Sequence, residues 1–239
     1  MEIIPAIDII GGKCVRLTQG DYSQKKEYGD NPLEMARQFE QAGIKRLHLV
    51  DLDGAKAKKI VNKEVLHSIA QNTALKVDFG GGVQSDEDVE LAFAAGASQV
   101  TGGSVAVRNP QLFESWLERY GSEKIILGAD AKDRKIAIGG WEETTSVDVI
   151  SFIKSHVDKG IRYVICTDVA KDGLLQGPSM ELYKDIREEI PEVKLIASGG
   201  VSSLKDLEDL QQCGVYGVIV GKAFYEGRIS LEELAAFVE

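Results

Sequence analysis

The chain has little cysteine and little histidine for its 239 residues. It contains three of each, at Cys14, Cys166 and Cys213 and at His48, His67 and His156. None of these residues has the paired spacing of zinc ligands or of a disulfide framework. The composition therefore excludes a disulfide-stapled fold and does not support a structural zinc site.

Long hydrophobic runs are absent as well. No apolar stretch approaches the roughly 18 residues that a membrane span requires. The opening segment MEIIP lacks the basic start and the apolar core of a signal peptide. We therefore expect a cytoplasmic protein with no membrane contact.

Basic residues are outnumbered by acidic ones, 28 against 38, which gives a formal net charge of -10. Affinity for nucleic acid depends on concentrated lysine and arginine, so this balance argues against a nucleic-acid partner. An anionic substrate would have to be held by local groups rather than by the overall field of the protein.

What the sequence does contain is an alternation of short β-rich runs and amphipathic helical stretches. Strands are predicted at residues 3–8, 46–51, 75–80, 99–103, 124–130, 162–168, 193–198 and 216–221. Helices are predicted at residues 32–42, 64–71, 86–95, 110–120, 147–159, 180–189, 204–212 and 231–238. Eight such units without a linker favour an α/β fold, a (β/α)8 TIM barrel, over an open doubly wound sheet.

In such a barrel, functional residues lie on the loops that follow the C-terminal ends of the strands. Two of these loops are long, residues 9–30 and 131–145. Long loops in a compact domain are more typical of lids or binding loops than of simple connections.

Glycines recur at a nearly constant offset of 118 residues between segments 75–104 and 193–222. The matched positions are GGVQS at 81–85 on GGVSS at 199–203, Gly96 on Gly214, and Gly103 on Gly221. This repeat predicts one barrel domain made of two half-barrels, about 1–120 and 121–239. Each half would carry a phosphate site, so the substrate should have a phosphate at each end.

The glycines at these strand ends leave room for an anion, because their backbone N–H groups can approach it with no Cβ in the way. The first predicted site consists of Gly81, Gly82, Gly103 and Ser104. The second consists of Gly199, Gly200, Gly221 and Lys222. A tight turn explains a single Gly-Gly pair equally well, but two matching pairs favour phosphate binding.

Four predicted strands end in aspartate, at Asp8, Asp51, Asp130 and Asp168. An aspartate that closes an apolar strand is either hydrogen-bonded to its loop or chemically active. Their pairing across the repeat makes them acid–base candidates. An aspartate acts as an acid at neutral pH only if its environment raises the pKa from about 3.9, and that environment decides which of them does so.

Four further side chains have two interpretations each. Thr167 either supports a carboxylate or the substrate, or is an ordinary β-branched strand residue. Arg16 either binds phosphate or is solvated, and Trp141 either stacks on a planar ligand or is structural. His48 faces either the core or the barrel mouth, and the core is the favoured interpretation.

Motifs with a recognisable family pattern run along essentially the whole chain. They are IPAID at 4–8, GGKCVRL at 11–17, QGDY at 19–22, LVDLDGA at 49–55, GGGV at 80–83, Asp130 with GW at 140–141, TD at 167–168, KDG at 171–173 and SGGV at 198–201. The set, and the opening motif above all, resembles the histidine-biosynthesis isomerases that act on phosphoribosylformimino-aminoimidazole carboxamide ribotide.

The resemblance implies an Amadori rearrangement of an aminoaldose to an aminoketose, without a metal or an organic cofactor. Asp8 would be the base that removes the C2 proton of the ribose, and Asp130 the acid that opens the sugar ring. Thr167 and Asp168 would support the opened sugar. A monomer acting on a small molecule with two phosphates is expected. Beyond the two glycine sites, the substrate would contact Arg16, Trp141, Gly173 and Gly177.

Two positions depart from the family pattern. Gln84 stands where many relatives have arginine, and Thr101 stands where an apolar residue is usual. Three alternatives remain open. A sister cyclase barrel would be expected to end its first strand in Cys-Leu-Asp rather than Ala-Ile-Asp, and a dual-substrate isomerase would also convert phosphoribosyl anthranilate. A noncatalytic module that binds bisphosphate ligands would need neither Asp8 nor Asp130.

Overall fold

The computed structural model describes residues 1–238, which contain thirteen strands and eleven helices. The strands are β1 (Glu2–Ile10), β2 (Lys13–Thr18), β3 (Asp21–Gly29), β4 (Arg46–Asp51), β5 (Lys76–Gly80), β6 (Gln99–Gly102), β7 (Ile125–Gly128), β8 (Ala131–Lys132), β9 (Lys135–Ile138), β10 (Glu143–Asp148), β11 (Tyr163–Thr167), β12 (Lys194–Ser198) and β13 (Gly217–Val220). The helices are α1 (Pro32–Gln41), α2 (Leu52–Ala57), α3 (Lys63–Asn72), α4 (Asp86–Ala94), α5 (Ser104–Arg108), α6 (Pro110–Tyr120), α7 (Val149–Val157), α8 (Met180–Glu189), α9 (Leu204–Gln212), α10 (Lys222–Tyr225) and α11 (Leu231–Ala235). Among these helices of residues 1–238, none has the length and the apolar character needed to cross a membrane.

Eight of the strands form a closed parallel barrel. Their order is β1, β4, β5, β6, β7, β11, β12 and β13, and parallel pairing of β13 with β1 closes the circle. Helices lie between successive barrel strands along the chain, as the (β/α)8 fold requires. The predicted fold class is confirmed, and each predicted barrel strand is present with ends within two residues of the prediction.

The two halves of the barrel share their loop geometry. Gly81 and Gly199 have φ angles of 91° and 93°. The helices that follow them, α4 and α9, begin with capping boxes in which Ser85 and Ser203 each pair with an aspartate three residues later. The repeat seen in the sequence is therefore also a repeat in backbone conformation.

Two hydrophobic clusters surround and fill the barrel. The larger lies between the strands and the helices and includes the fully buried side chains of Phe39, Phe113 and Trp116. The smaller fills the interior of the barrel and includes Ile4, Ile126, Ile165, Ile196 and Ile219. Branched aliphatic side chains fill such an interior as a packed core rather than a pore, so a ligand can enter only at the strand ends.

The two long loops contain regular structure that the sequence analysis did not predict. In the first, β2 pairs with β1 and β3 with β2, which extends the barrel sheet by an antiparallel hairpin. In the second, β8, β9 and β10 form a separate three-stranded sheet. Because β3 and β10 are largely exposed on both faces, their residues show no apolar alternation. The short helices α2, α5 and α10 also occupy segments predicted as loops.

His156 of α7 is a buried histidine between two helices of the outer layer. Its ring packs against Phe152 and Phe113, with ring centroids 4.5 Å and 5.7 Å away. Nδ1 lies 3.0 Å from the carbonyl oxygen of Phe152, and Nε2 is buried without a hydrogen-bond partner among residues 1–238. Burial lowers the pKa of His156 below its ordinary value, so folding favours the neutral ring.

We expect acid to destabilise the protein through His156. Folding lowers the pKa of this histidine, so its contribution to stability is complete above about pH 6.5 and is lost as the pH falls below that value. The free energy of unfolding in urea should therefore fall less between about pH 7 and pH 5 in His156→Phe than in the unsubstituted protein. His67→Gln, at an exposed position of α3, should keep the full acid dependence. The same fall in all three proteins would contradict this assignment.

Candidate active site

The C-terminal ends of the barrel strands gather buried polar side chains above the apolar interior. Ala6 of β1 belongs to the interior cluster, so Asp8, two residues further along the strand, lies on the same face. Thr167 ends β11, and Asp130 comes two residues after the end of β7. Strand periodicity and topology therefore bring three of the predicted residues to one barrel mouth.

Asp8 forms a buried ion pair with Arg16. Nη1 of Arg16 donates to Oδ2 of Asp8 at 2.8 Å, and each residue is only 9% exposed. The β1–β2 hairpin makes this contact, because Asp8 lies opposite Val15, the neighbour of Arg16. Burial is the largest influence and raises the pKa of Asp8 above its ordinary value, while the charges of Arg16 and His48 oppose that rise. Arg16 thus favours the ionised carboxylate that a general base requires.

Asp130 is held by the second long loop. The indole Nε1 of Trp141 donates to Oδ2 of Asp130 at 2.7 Å. Burial raises the pKa of Asp130, while hydrogen bonding from Trp141 and Thr167 and the charge of His48 lower it. The desolvated carboxyl group has the raised pKa that an acid needs, and Trp141 and Thr167 are placed to orient it.

The two long loops meet over this mouth. A Cβ added to Gly20 would lie 2.7 Å from the ring of Trp141, so only glycine allows the first loop to approach the indole this closely. Trp141 itself has a φ of 71°, an uncommon value for a residue with a side chain. The contact connects the loop that carries Arg16 to the loop that holds Asp130.

Asp51 and Asp168, predicted as a symmetric pair, both organise their own loops. The carboxylate of Asp51 is fully buried and accepts from the backbone N–H groups of Gly54, Val61 and Asn62 at 2.7 to 2.8 Å. The carboxylate of Asp168 accepts from the Ala170 N–H group at 3.0 Å and from the Ser179 hydroxyl.

The support of the opened sugar by Asp168 stays a prediction. Its two carboxylate oxygens already have partners within the loop that follows β11. The neighbouring Thr167 is buried and interacts with Asp130, so it is the better placed of the two to act on the mouth.

Two buried aspartates, one at the mouth and one beneath it, were not among the predicted site residues. Asp172 is 9% exposed and lies 3.9 Å from Nη2 of Arg16. Burial raises its pKa to about 6; the charges of Asp8 and Asp130 add to this rise, and that of Arg16 opposes it. Asp78 of β5 is 3% exposed and lies 2.7 Å from Nδ1 of His48. An aspartate inside the apolar strand KVDFG and the KDG motif at 171–173 were the signals that could have revealed them.

The second predicted phosphate site is a pocket between the ends of β12 and β13. Nζ of Lys222 donates to the Gly173 carbonyl oxygen at 2.7 Å and lies 3.3 Å from the Thr18 hydroxyl. A Cβ on Gly221 would come within 2.6 Å of the Arg16 guanidinium, so this glycine leaves space for the cation. The pocket is lined by Arg16, Asp172, Gly173, Gly199, Gly200 and Lys222. Gly177, also predicted, lies at its rim and donates its N–H group to the Gly200 carbonyl oxygen at 2.8 Å.

The first predicted phosphate site occupies the equivalent position between β5 and β6. A Cβ on Gly81 would lie 2.2 Å from the Asp51 carbonyl oxygen, and one on Gly82 would lie 2.5 Å from the Lys59 carbonyl oxygen. Gly103 precedes the short helix α5, and the Ser104 hydroxyl accepts from the Gly139 N–H group at 2.9 Å. This hydrogen bond links the first glycine site to the loop that carries Trp141.

The fold is that of a (β/α)8 barrel enzyme, and its mouth gathers carboxyl groups flanked by glycine-rich loops. Within residues 1–238, no group of three or more His, Cys, Asp or Glu side chains is arranged to hold a metal ion. The chain belongs to the histidine biosynthesis protein family, which matches residues 2–230.

Close relatives cover the whole length of the chain. Identity is 60% over 237 residues with a Parabacteroides distasonis protein and 62% over 237 residues with one from Cytophaga hutchinsonii, in each case covering 99% of both chains. It is 58% over 238 residues with a Bacteroides fragilis protein, covering 100% of both chains. All three relatives are named 1-(5-phosphoribosyl)-5-((5-phosphoribosylamino)methylideneamino) imidazole-4-carboxamide isomerase.

Replacing Gly81 should destabilise the protein more than replacing a glycine with free space around it. In Gly81→Ala, an unfavourable φ of 91° is combined with a clash against the Asp51 backbone. Gly12→Ala is the matched control, because Gly12 has a φ of 76° but no atom within 4 Å of an added Cβ. We expect Gly81→Ala to lose on the order of 1–3 kcal/mol more than Gly12→Ala in urea unfolding. Equal losses would show that the close approach is unimportant.

Asp172 should titrate well above an ordinary aspartate. Carboxyl carbon-13 NMR of the protein labelled at aspartate should show one resonance with a midpoint near pH 6, which disappears in Asp172→Asn. Folding raises this pKa, so the carboxyl group contributes most to stability at low pH, and that contribution is lost as the pH rises from about 4 to about 6. A midpoint near the usual value of about 3.9 would contradict the assignment.

Proposed function

We propose that this protein is the histidine-biosynthesis isomerase that converts phosphoribosylformimino-aminoimidazole carboxamide ribotide, an aminoaldose, to the corresponding aminoketose. The observation that carries the proposal is a pair of carboxyl groups at one barrel mouth, the buried Asp8 and the half-buried Asp130, flanked by two glycine sites. Relatives that bear the name of this isomerase, at up to 62% identity over 99% of the chain, support it.

Asp8 acts as the base in this proposal. Removal of the C2 proton requires an ionised carboxylate next to the sugar, and Arg16 provides the opposing charge at 2.8 Å. The proton is taken from C2 as the protonated Schiff base of the opened sugar becomes an enolamine. The enolamine is then protonated at C1 and loses the proton of its C2 hydroxyl group, which gives the aminoketose. No redox partner is needed, because the rearrangement moves hydrogen within one molecule.

Asp130 acts as the acid that protonates the ring oxygen. Its raised pKa, its hydrogen bond from Trp141 and its interaction with Thr167 support this role. Asp172, with a pKa of about 6, is a second group that can hold a proton near neutral pH. We infer that it assists proton transfer at the same mouth, between Arg16 and the second glycine site.

The glycine sites hold the two terminal phosphates. Backbone N–H groups at Gly81 and Gly82 and at Gly199 and Gly200 supply the donors, and Arg16 and Lys222 add positive charge at the second site. We further infer that the protein is one domain, acts as a monomer in the cytoplasm and needs no macromolecular partner. Gel filtration of the purified protein tests the monomer.

Neutral substitutions of the two aspartates should abolish turnover without unfolding the protein. Asp8→Asn and Asp130→Asn keep the shape of each side chain but remove the proton-transferring group, so kcat should fall about 10²- to 10⁴-fold or more. Asp133→Asn is the matched control, since Asp133 lies exposed at the turn before β9. If either active-site variant keeps nearly the unsubstituted kcat, its assigned role is wrong.

A dual-substrate isomerase is the second candidate, because the same two carboxyl groups suit the rearrangement of phosphoribosyl anthranilate. That substrate carries one phosphate, so it leaves one of the two glycine sites unused. We expect kcat/KM for phosphoribosyl anthranilate to be at least about 100-fold below that for the doubly phosphorylated substrate, because the contacts of one phosphate with its glycine site are lost. Comparable values with both substrates would favour the dual-substrate enzyme.

A further inference from the structure

Beneath the mouth, three neighbouring barrel strands contribute one polar side chain each to a buried network. Nδ1 of His48, on β4, lies 2.7 Å from Oδ1 of Asp78, on β5, and the Thr101 hydroxyl, on β6, donates to the same oxygen at 3.1 Å. The strand register places His48 directly opposite Asp78. The network belongs neither to the two glycine sites nor to the proposed acid and base.

Packing alone does not account for this network. The hydrophobic cluster that fills the barrel consists of five isoleucines, Ala6 and Tyr163. A buried ion pair seldom adds stability over apolar side chains of the same volume, because both charges must be removed from water. Asp78 is 3% exposed, whereas the His48 side chain keeps 14% of its surface accessible. The histidine therefore lies on the side of the network that faces the mouth.

The strand register places His48 on the same face of the barrel as Asp8. His48 pairs with Ala6 of β1, and Asp8 lies two residues further on the same face, about 7 Å along the strand. Four charged groups act on His48 from neighbouring elements. They are Asp78 on β5, Asp8 on β1, Arg16 on β2 and Asp130 after β7. Burial lowers the pKa of His48, but the charge and hydrogen bond of Asp78 and the charge of Asp8 outweigh this and raise it.

We propose that His48, kept protonated by Asp78, is a positioning residue that holds Asp8 ionised while Arg16 is engaged by a substrate phosphate. Arg16 borders the second glycine site as well as Asp8, so a dianion bound there competes for its charge. His48 does not line the second glycine site, so a phosphate bound there does not engage it as it engages Arg16. The positive charge of His48 therefore continues to act on Asp8 when a phosphate engages Arg16. This inference rests on the proposed function in assigning Asp8 as the base.

The charge of His48 can be measured without substrate. The chain has three histidines, so nitrogen-15 NMR of the imidazoles resolves each of them. At about pH 7, we expect His48 to be protonated and His156 to be neutral. Asp78→Asn should move the titration of His48 to lower pH. A neutral His48 at pH 7 in the unsubstituted protein overturns the proposal.

The effect on Asp8 is measured next. In His48→Gln and in Asp78→Asn, the carboxyl carbon-13 titration of Asp8 should move to higher pH by roughly 0.5 to 1 unit, less than for a direct ion pair. The acid limb of kcat/KM should move in the same direction. Thr101→Val, which removes a hydrogen bond from the network but no charge, should leave both midpoints in place. If either single variant does not fold, the neutral double variant H48Q/D78N is measured in its place, with the same expected shift of the Asp8 titration.

A merely structural network gives a different result. Activity or melting temperature would change, but the Asp8 midpoint would not move in either charge-removing variant, and the proposal would then be wrong. The NMR midpoints require no turnover, so they test the effect of His48 on Asp8 even if the protein does not isomerise the histidine-pathway substrate. A lack of turnover would contradict the proposed function alone.

Discussion

The buried guanidinium of Arg16 is the interaction on which the arrangement of the mouth depends. It lies 2.8 Å from Asp8 and 3.9 Å from Asp172, and it borders the second glycine site. Without it, carboxyl groups that are nine-tenths buried would face each other in a protein of net charge -10, with their pKa values raised further. The β1–β2 hairpin places the Arg16 guanidinium beside Asp8, and Gly221 leaves the space that this guanidinium occupies.

The glycine turns around the mouth repeat between the two halves of the barrel, whereas the partners of the two acid–base candidates differ. Gly81 and Gly199 have nearly the same backbone conformation, and Asp51 and Asp168 both bind the N–H groups of their loops. The two acid–base candidates have different partners. Asp8 accepts from the Arg16 guanidinium, whereas Asp130 accepts from the indole N–H group of Trp141. A carboxyl group facing a cation is favoured as a base, and one facing a neutral donor keeps more of the rise in pKa caused by burial.

Most of the fold could be predicted from the sequence because barrel strands are apolar and capped helices are amphipathic. The helices at 110–120, 180–189 and 204–212 match their predicted bounds. The strands inside the long loops could not be predicted, since β3 and β10 are polar on both faces and are ordered by pairing with neighbours. His48 was assigned to the core on its apolar neighbours, but its partner Asp78 lies 30 residues away and became visible only in the folded barrel.

The sequence alone determined the barrel, the repeated glycine turns and the set of aspartates at the strand ends, because these depend on local periodicity and on glycine conformation. Tertiary structure decided which partners each of those aspartates has, because burial and the charges of distant segments depend on the folded arrangement. Asp51 and Asp8 both lie at the end of a barrel strand and look alike as sequence. The Asp51 carboxylate accepts hydrogen bonds from three backbone N–H groups, whereas the Asp8 carboxylate pairs with Arg16 in the barrel mouth.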